Sequence, residues 1–342
     1  MTNTTAVDKT SPPARATASE WVGSLGLREL ALIPVIILLM IVGSLISGAF
    51  LTPRNLLNIL QQSSELAVLV LAQSLILIAG KFDLSLESVV GFAPMLAAWL
   101  ILTDPTIGGS GIGISGGLGI AVVLVTGMAI GCFNGFIVVK LRLNAFIATL
   151  AMLILLRGVT VGMTNGQTLY NLPESFLYLG TARWGGVPVS IWIAGILFLI
   201  FGLFMRYHRL GRALYAIGGN PDAARVAGIP VERITWGVFI LGGLLASLAG
   251  LMLTGRIASV VASQGQNMIF YVFAAAVIGG INLNGGQGRL IGALTGVLLL
   301  GILQNVLTLA QIAAFWIDAA YGAIILVALI IARFSGERPR GA

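Results

Sequence analysis

Long apolar runs separated by short polar segments occupy most of this sequence. A helix that crosses a bilayer needs roughly 20 mostly apolar residues, because it rises about 1.5 Å per residue. The chain is 58% hydrophobic and only 9% charged, whereas soluble domains carry roughly 25% charged residues. The pattern therefore predicts an all-α polytopic membrane protein with about ten transmembrane helices. The predicted spans lie near residues 30–50, 60–79, 87–103, 117–138, 145–163, 190–206, 234–254, 270–283, 290–310 and 315–333.

Positive residues are unevenly distributed among the predicted loops. When the N-terminus is placed inside, only Arg54, Arg183 and Arg256 fall on the outer side, and Arg157 lies within a span. All other Lys and Arg residues then fall on the inner side. Because inner loops are enriched in Lys and Arg, this bias predicts that both termini lie in the cytoplasm.

The composition changes near both ends of the chain. Residues 1–29 are polar and rich in Thr, Ser and Ala, which predicts a disordered cytoplasmic tail. Residues 30–333 form the predicted transmembrane domain, and residues 334–342 form a second cytoplasmic tail. The eighth span is short and is broken by Gly279-Gly280, so we expect an irregular helix there.

Residues 206–233 form the only long polar segment between the two ends of the chain. Within it, Asn220 is a favourable N-cap, Pro221 suits a first helical turn, and Asp222 complements the helix dipole. Gly228 can end such a helix. The segment therefore predicts a short, rigid cytoplasmic helix to which a soluble partner protein can bind.

Several classes of function are excluded by missing residues. A nucleotide-binding P-loop requires Gly-Lys followed by Ser or Thr. Of the three lysines, Lys9, Lys81 and Lys140, only Lys81 follows a glycine, and the next residue is Phe82. The sequence therefore contains no P-loop. The single His and single Cys provide neither a metal cluster nor a catalytic triad. Basic residues are not interleaved with aromatic residues, which argues against nucleic-acid binding. We therefore expect no enzyme activity, metal or cofactor in this chain.

Few ionisable residues lie near or within the predicted spans. Glu65 and Asp318 lie close to predicted span ends, which favours an interfacial position for both. Arg157 lies deeper, and we expect it to pair with an acid or a carbonyl, in a structural role rather than in solute binding.

Two patterns concern packing and internal symmetry. Gly127, Gly131 and Gly135 recur every four residues, and so do Gly292 and Gly296, so each set forms a smooth stripe that allows close helix packing. In addition, residues 78–85 resemble residues 278–284, a match that either two related structural halves or apolar low complexity alone would produce.

Four segments together resemble the membrane permease of ribose-type ATP-binding-cassette (ABC) sugar importers. Residues 80–88 resemble the family motif G-G-I-D-L-S-V-G-S, with Asp83 and Ser85 matching. The other similar segments are residues 144–150 with Arg157-Gly158, residues 211–225 with Gly228-Ile229, and residues 275–280 with 285–288 and 292–293.

Two residues depart from the first motif. Lys81 and Glu87 replace glycines of the family. We expect these two charges either to pair with each other or to mark a subfamily with a different solute or partner.

The resemblance implies a permease subunit of a bacterial inner-membrane importer for a monosaccharide. Its partners would be a cytoplasmic ABC ATPase, which holds ATP and Mg, a periplasmic or extracellular solute-binding protein, and a second permease copy or paralogue. Residues 206–233 would then form the coupling loop to the ATPase. Its expected contact residues are Gly218, Gly219, Asn220, Pro221, Asp222, Ala223, Ala224, Arg225 and Gly228.

Polar and aromatic residues on apolar spans are candidates for the solute path. They are Gln61, Gln62, Gln73, Trp99, Asn134, Asn144, Phe146, Gln304 and Asn305. Other solutes of the same branch stay open, namely a polyol, a nucleoside or a furanone signal. An ion-coupled secondary carrier is a further alternative, disfavoured by the missing mid-membrane acids and by the predicted helix after Asn220.

Overall fold

The computed structural model describes residues 32–313, 315–317, 319–323 and 326. The predicted tails at residues 1–29 and 334–342, Asp318, and most of the tenth predicted span lie outside the described residues. The described parts of that tenth span are helical.

Helices form nearly all of the described structure. In chain order they are α1 (Leu32–Ile46), α2 (Pro53–Ile78), α3 (Leu86–Ile101), α4 (Gly116–Gly135), α5 (Ala145–Thr164), α6 (Glu174–Thr181), α7 (Val189–Tyr207), α8 (Arg209–Gly219), α9 (Pro221–Val226), α10 (Val231–Ile257), α11 (Met268–Ile278) and α12 (Leu290–Leu309). A 3₁₀ turn (Pro105–Ile107) follows α3, and a π-helical turn (Phe136–Lys140) extends α4. Between α6 and α7, β1 (Arg183–Trp184) and β2 (Val187–Pro188) form a small antiparallel hairpin.

Within the described residues, six helices are long and apolar enough to cross a membrane. They are α2, α4 with its π-helical extension, α5, α7, α10 and α12, while α1, α3 and α11 are shorter apolar helices. These helices coincide with the first nine predicted spans. The helical, membrane-spanning class predicted from the apolar runs is therefore confirmed.

The centre of the bundle is built around α2 and α10. Residues 67–79, which form the second half of α2 and the residue after it, are almost completely buried. Helix α10 packs against α2, α3, α4 and α6. By contrast, only 28% of the residues in the apolar windows of α5 and α7 are buried, and the rest are half-buried or exposed. In a membrane chain, such outer faces contact lipid or a further subunit.

The predicted glycine stripes pack as expected. Gly127 lies against Gly243 and Ser247, and Gly131 lies against the main chain of Phe239, so α4 and α10 approach closely. Gly292 on α12 meets the main chain of Gly279 in the same way, next to the end of α11. A Cβ atom at these glycines would collide with backbone atoms, which explains the small residues.

The irregular eighth span is also confirmed. Helix α11 has only 11 residues, which is about 16 Å at 1.5 Å per residue and too short to cross a bilayer. The loop before α11, residues 258–267, packs against α3. The carbonyl of Gln264 in this loop lies against Gly91 of α3. Non-helical backbone at this depth is tolerated only where it is buried in protein or lines a cavity.

Candidate functional site: a coupling surface and intramembrane charges

The short helix predicted after Asn220 is present as α9. The side-chain oxygen of Asn220 accepts hydrogen bonds from the amides of Asp222 (3.0 Å) and Ala223 (2.9 Å), so it caps the helix. Pro221 occupies the first position, and Gly228 follows the end of the helix with a φ of +79°. The residues that start and end this helix were therefore identified correctly from the sequence.

Helix α9 has one buried face and one exposed face. Ala224 packs with Ile217 of α8 and Val231 of α10, whereas Val226 is 91% exposed. Ala223 lies on the exposed side with Asp222.

Arg225 joins α9 to the beginning of α10. Its guanidinium donates to the carboxylates of Asp222 (2.7 Å) and Glu232 (3.0 Å). The hydrogen bond to Glu232, together with both negative charges, raises the pKa of Arg225. Because all three side chains are exposed, this network orients α9 but adds little stability.

A groove lies beside α9. One wall is formed by α8 through Arg209, Arg212 and Ala216, and the other by Gly228, Ile229 and Pro230 before α10. Its floor is apolar and its rim is basic. The groove could therefore receive an apolar side chain flanked by acidic groups.

Helix α8 is anchored beneath the groove by a junction of glycines. Gly218 lies between the end of α2 and the loop after α11, where the amide of Gly286 donates to the carbonyl of Ile78 over 2.9 Å. The hydroxyl of Tyr215 donates to the carbonyl of Gly288 (2.8 Å), and burial raises the pKa of Tyr215. These contacts hold α8 against the end of α2 and against the loop after α11.

The two sequence segments that resemble each other end their helices in the same way. At the end of α2, the amides of Gly80 and Lys81 donate to the carbonyls of Leu77 and Ile76. At the end of α11, the amides of Gly280 and Ile281 donate in the same way to the carbonyls of Val277 and Ala276. Both Gly80 and Gly280 have positive φ angles, +70° and +84°. The resemblance between the segments therefore reflects a shared helix ending, and both endings lie at the same junction.

A buried network fixes the segment that contains Asp83. The Asp83 carboxylate accepts hydrogen bonds from the amide (2.9 Å) and the hydroxyl (2.6 Å) of Ser85, and the Asn134 amide donates to the Ser85 hydroxyl (2.7 Å). All three side chains are buried. This network ties the loop before α3 to α4, a role for Asn134 that no local sequence signal could indicate.

Glu65 forms an ion pair inside the bundle. It lies in the middle of α2, is 2% exposed, and accepts two hydrogen bonds from Arg256, at 2.7 and 3.0 Å. Glu65 is therefore buried in the bundle beside the last turn of α10, and its interfacial depth stays a prediction. Arg256 supplies a bidentate partner, which allows the carboxylate to be buried.

Glu87 and Arg157 form the second intramembrane ion pair. The Arg157 guanidinium donates to one carboxylate oxygen of Glu87, and the amide of Ile269 donates to the other over 3.3 Å. The prediction that Arg157 pairs with an acid is confirmed. The expected pairing of Glu87 with Lys81 is wrong, because the Glu87 side chain faces α5 and the beginning of α11.

Comparison with known proteins places the chain in a family. Residues 55–332 match the family described as branched-chain amino acid transport system / permease component. The chain belongs to this permease family. It is 38% identical to the ribose import permease protein RbsC of Escherichia coli K12 over 309 residues, which cover 89% of this chain and 93% of that protein. It is also 31% identical to the L-arabinose ABC transporter permease protein AraH of Azospirillum brasilense, over 97% of this chain and 95% of that protein.

In this permease, several candidates for the solute path hold helices and loops together. Gln61 donates to the carbonyl of Gly180 (2.8 Å), Asn305 exchanges hydrogen bonds with Asn55 (2.9 Å), and Asn144 caps α5 through the amide of Ile147. These contacts are of the helix-joining kind.

The remaining path candidates are dispersed over the bundle. Phe146 is 46% exposed and packs edge-on against Phe82, and Trp99 is half-buried against the core. Gln73 is fully buried and its side-chain atoms have no hydrogen-bond partner. Gln62 and Gln304 are exposed. The candidates do not converge on one point, so their place on the path stays a prediction.

A small cavity that sequence reasoning missed lies beside the second ion pair, and its volume of about 10 Å³ has room for about one water molecule. It is lined by Glu87, Ser88, Gly91, Arg157, Thr160, Ala262, Ser263 and Gln264. The intramembrane charge of Arg157 was a signal for it, but the contribution of residues 262–264 was not visible, because that loop was expected outside the membrane.

Proposed function

We propose that this chain is the membrane permease subunit of an ABC importer that takes up a monosaccharide. The family match over residues 55–332 and the names of the relatives, a ribose and an L-arabinose permease, support this function. In this assignment the chain is a multi-pass protein of the cell inner membrane and a transport subunit, not an enzyme. The observation that carries the proposal is the capped helix α9, which is exposed and rigidly joined to the membrane helices.

Residues 206–233 act as the coupling loop in this proposal. A cytoplasmic ATPase binds ATP and Mg, and this chain binds neither of them. Closing of the ATPase presses on α9 and on the basic groove beside it. The glycine junction at Gly218 then passes the movement to α2 and to the loop between α11 and α12.

The topology follows from the same proposal. The N- and C-terminal tails and the coupling loop lie in the cytoplasm, and a tenth helix completes residues 30–333. A solute-binding protein delivers the sugar to the opposite face. The exposed apolar faces of α5 and α7 leave room for lipid and for a second permease copy or a paralogue.

Affinity purification from native membranes tests the assignment. The tagged chain is solubilised in a mild detergent, and the proteins that remain bound are identified by mass spectrometry. We expect a P-loop ATPase and a solute-binding protein. Reconstitution of the purified complex must then give sugar uptake that depends on ATP. Uptake by the chain alone, driven by an ion gradient without ATP, would overturn the proposal.

A further inference from the structure

We infer that the α7–α8 elbow, residues 206–212, binds an anionic phospholipid. The side chains of Arg206, Arg209 and Arg212 hold the phosphate of the lipid, and an acyl chain lies along the exposed face of α7. This interaction surface goes beyond the proposed function. It requires only that α7 crosses the membrane, and it does not depend on the ATPase, the solute-binding protein or the solute.

One face of α7 is exposed along the whole length of the helix. Its large apolar residues are Trp192, Ile196, Leu199, Ile200 and Leu203, whose spacing places them in one stripe. Arg206 and Tyr207 follow Trp192 after about four helical turns, so they end the same stripe. Both are exposed, Tyr207 to 64%. An apolar face that suits acyl chains therefore ends in a positive charge and an aromatic ring.

Contacts at the elbow bring further positive charge to the end of this stripe. The Arg206 guanidinium lies over the Tyr207 ring, 5.2 Å from its centre. The Arg212 guanidinium donates to the carbonyl of Tyr207 over 3.0 Å. Arg209, the first residue of α8, lies between them in sequence, and all three arginines are exposed. The stripe therefore ends at a cluster of three guanidinium groups.

The turn between the two helices is fixed by His208. Its ring stacks on the ring of Phe204, with 4.8 Å between the ring centres. Its Nδ1 accepts a hydrogen bond from the amide of Leu210 over 3.2 Å. Because the main chain that carries the arginines is already ordered, a ligand does not have to order it on binding.

The positive charge of the elbow is not neutralised by the protein. Among the residues that the structure describes, no acidic side chain forms an ion pair with any of the three arginines. Arg209 and Arg212 also lie in the first turn of α8, which contains no acidic residue. That position is electrostatically unfavourable for a cation, because the beginning of a helix carries partial positive charge. An external anion would remove this repulsion.

A phospholipid is the anion that complements both parts of this surface. Its phosphate accepts charge-assisted hydrogen bonds from the guanidinium groups, and its acyl chain covers the apolar stripe. Tyr207 suits the level of the headgroups, where tyrosine and tryptophan are enriched. Clusters of Lys and Arg next to a membrane helix attract anionic lipid in the same way.

Two other occupants complement only part of the surface. An acidic surface of the ATPase would match the arginines but not the apolar stripe. A second copy of the chain packed on α7 would bring its own elbow to the same depth, where the like charges repel. Arg209 and Arg212 also line the groove beside α9, so the bound headgroup borders the surface on which the ATPase is proposed to press.

The test places a fluorescent reporter on the stripe. In a Cys132→Ser background, Leu203→Cys provides a single thiol for a fluorophore, about one turn before Arg206. The purified full chain is reconstituted in phosphatidylcholine vesicles that contain a small fraction of either phosphatidylglycerol or phosphatidylcholine with brominated acyl chains. Bromine quenches only at short range, so quenching measures which lipid occupies the stripe. We expect an association constant at least about fivefold higher for brominated phosphatidylglycerol, the effect of roughly one arginine.

Arg209→Gln removes one charge from the elbow, and Arg183→Gln is the matched control. Arg183 is also exposed and forms only a 3.4 Å hydrogen bond within its own hairpin, but it lies before the beginning of α7. We expect Arg209→Gln to lower the preference for phosphatidylglycerol severalfold, and Arg206→Gln/Arg209→Gln/Arg212→Gln to abolish it. Arg183→Gln should leave the preference unchanged. These substitutions are on the surface, and size-exclusion chromatography checks that each variant is folded.

The same assay separates the lipid from the other occupants. Equal quenching by the two brominated lipids in the wild-type stripe, or an equal loss of preference in Arg183→Gln, would overturn the inference. Excess inorganic phosphate should displace little of the lipid, because free phosphate lacks an acyl chain. Complete displacement would show a site for free phosphate instead. If the triple variant keeps its preference for phosphatidylglycerol but no longer binds the co-purified ATPase, the arginines serve the ATPase and the inference is wrong.

Discussion

The main-chain amide of Gly286 donates a 2.9 Å hydrogen bond to the carbonyl oxygen of Ile78, and this bond joins the end of α2 to the loop after α11. Gly218, near the end of α8, lies directly against both residues. The three segments that meet here come from distant parts of the chain. Because α8 leads into α9, this junction joins the proposed coupling helix to the end of α2 and to the loop after α11.

Replacement of Gly218 by alanine tests this link. A Cβ atom at this position would overlap the Ile78 carbonyl and the Gly286 amide, and such overpacking costs typically about 1–3 kcal/mol. We expect Gly218→Ala to weaken the coupling between ATP hydrolysis and uptake, measured as ATP consumed per sugar transported in proteoliposomes.

The neighbouring glycine provides the control for that experiment. A Cβ atom at Gly219 meets no other atom within 4 Å. Gly219→Ala should therefore leave the coupling ratio at the wild-type value. Equal coupling in the two variants would show that the junction does not transmit movement.

Loss of the Asn220 cap should weaken α9, the proposed coupling helix. Replacing an N-cap residue by alanine costs roughly 0.5–2 kcal/mol, and α9 has only six residues to compensate for the loss. We expect Asn220→Ala to reduce uptake while the chain still inserts into the membrane. Asn220→Asp, which can accept the same two hydrogen bonds, should retain most uptake. Similar losses in both variants would contradict a capping role.

Local chemistry explains which features were predictable from the sequence. The start and end of α9 depend on Asn220, Pro221 and Gly228, which act within one helical turn, so the sequence defines them. The apolar runs and the glycine stripes are likewise local patterns, and the helices and close contacts that they predict are present.

Features that depend on partners distant in sequence were not predictable. Glu65 and Arg256 are 191 residues apart, and Glu87 and Arg157 are 70 residues apart. A single sequence shows each charge but not its partner, so neither ion pair could be predicted, and pairing of Glu87 with Lys81 was one of two open alternatives. For the same reason the cavity beside Arg157 was missed, since its second wall is a loop that folds back between helices.

Breaking the Glu65–Arg256 pair should destabilise the bundle. Removing one partner leaves the other charge buried, which costs about 3–5 kcal/mol for a fully buried pair, and roughly 1–3 kcal/mol after allowance for the partly exposed Arg256. We expect Glu65→Gln to lower the Tm of the permease in detergent. The double variant Glu65→Met/Arg256→Met removes both charges and should recover part of that loss. A double variant less stable than Glu65→Gln would contradict this explanation.

Close packing of α4 on α10 should not tolerate even one added methyl group. A Cβ atom at Gly131 would collide with the carbonyl of Phe239, so Gly131→Ala must push the two helices apart, at a cost of about 1–3 kcal/mol. Gly162→Ala is the matched control, because a Cβ atom on that part of α5 meets nothing within 4 Å. We expect a lower Tm and a lower yield of monodisperse protein for Gly131→Ala alone. Equal Tm values for the two variants would show that the helices can separate without loss, and that the glycine stripe is not required for their packing.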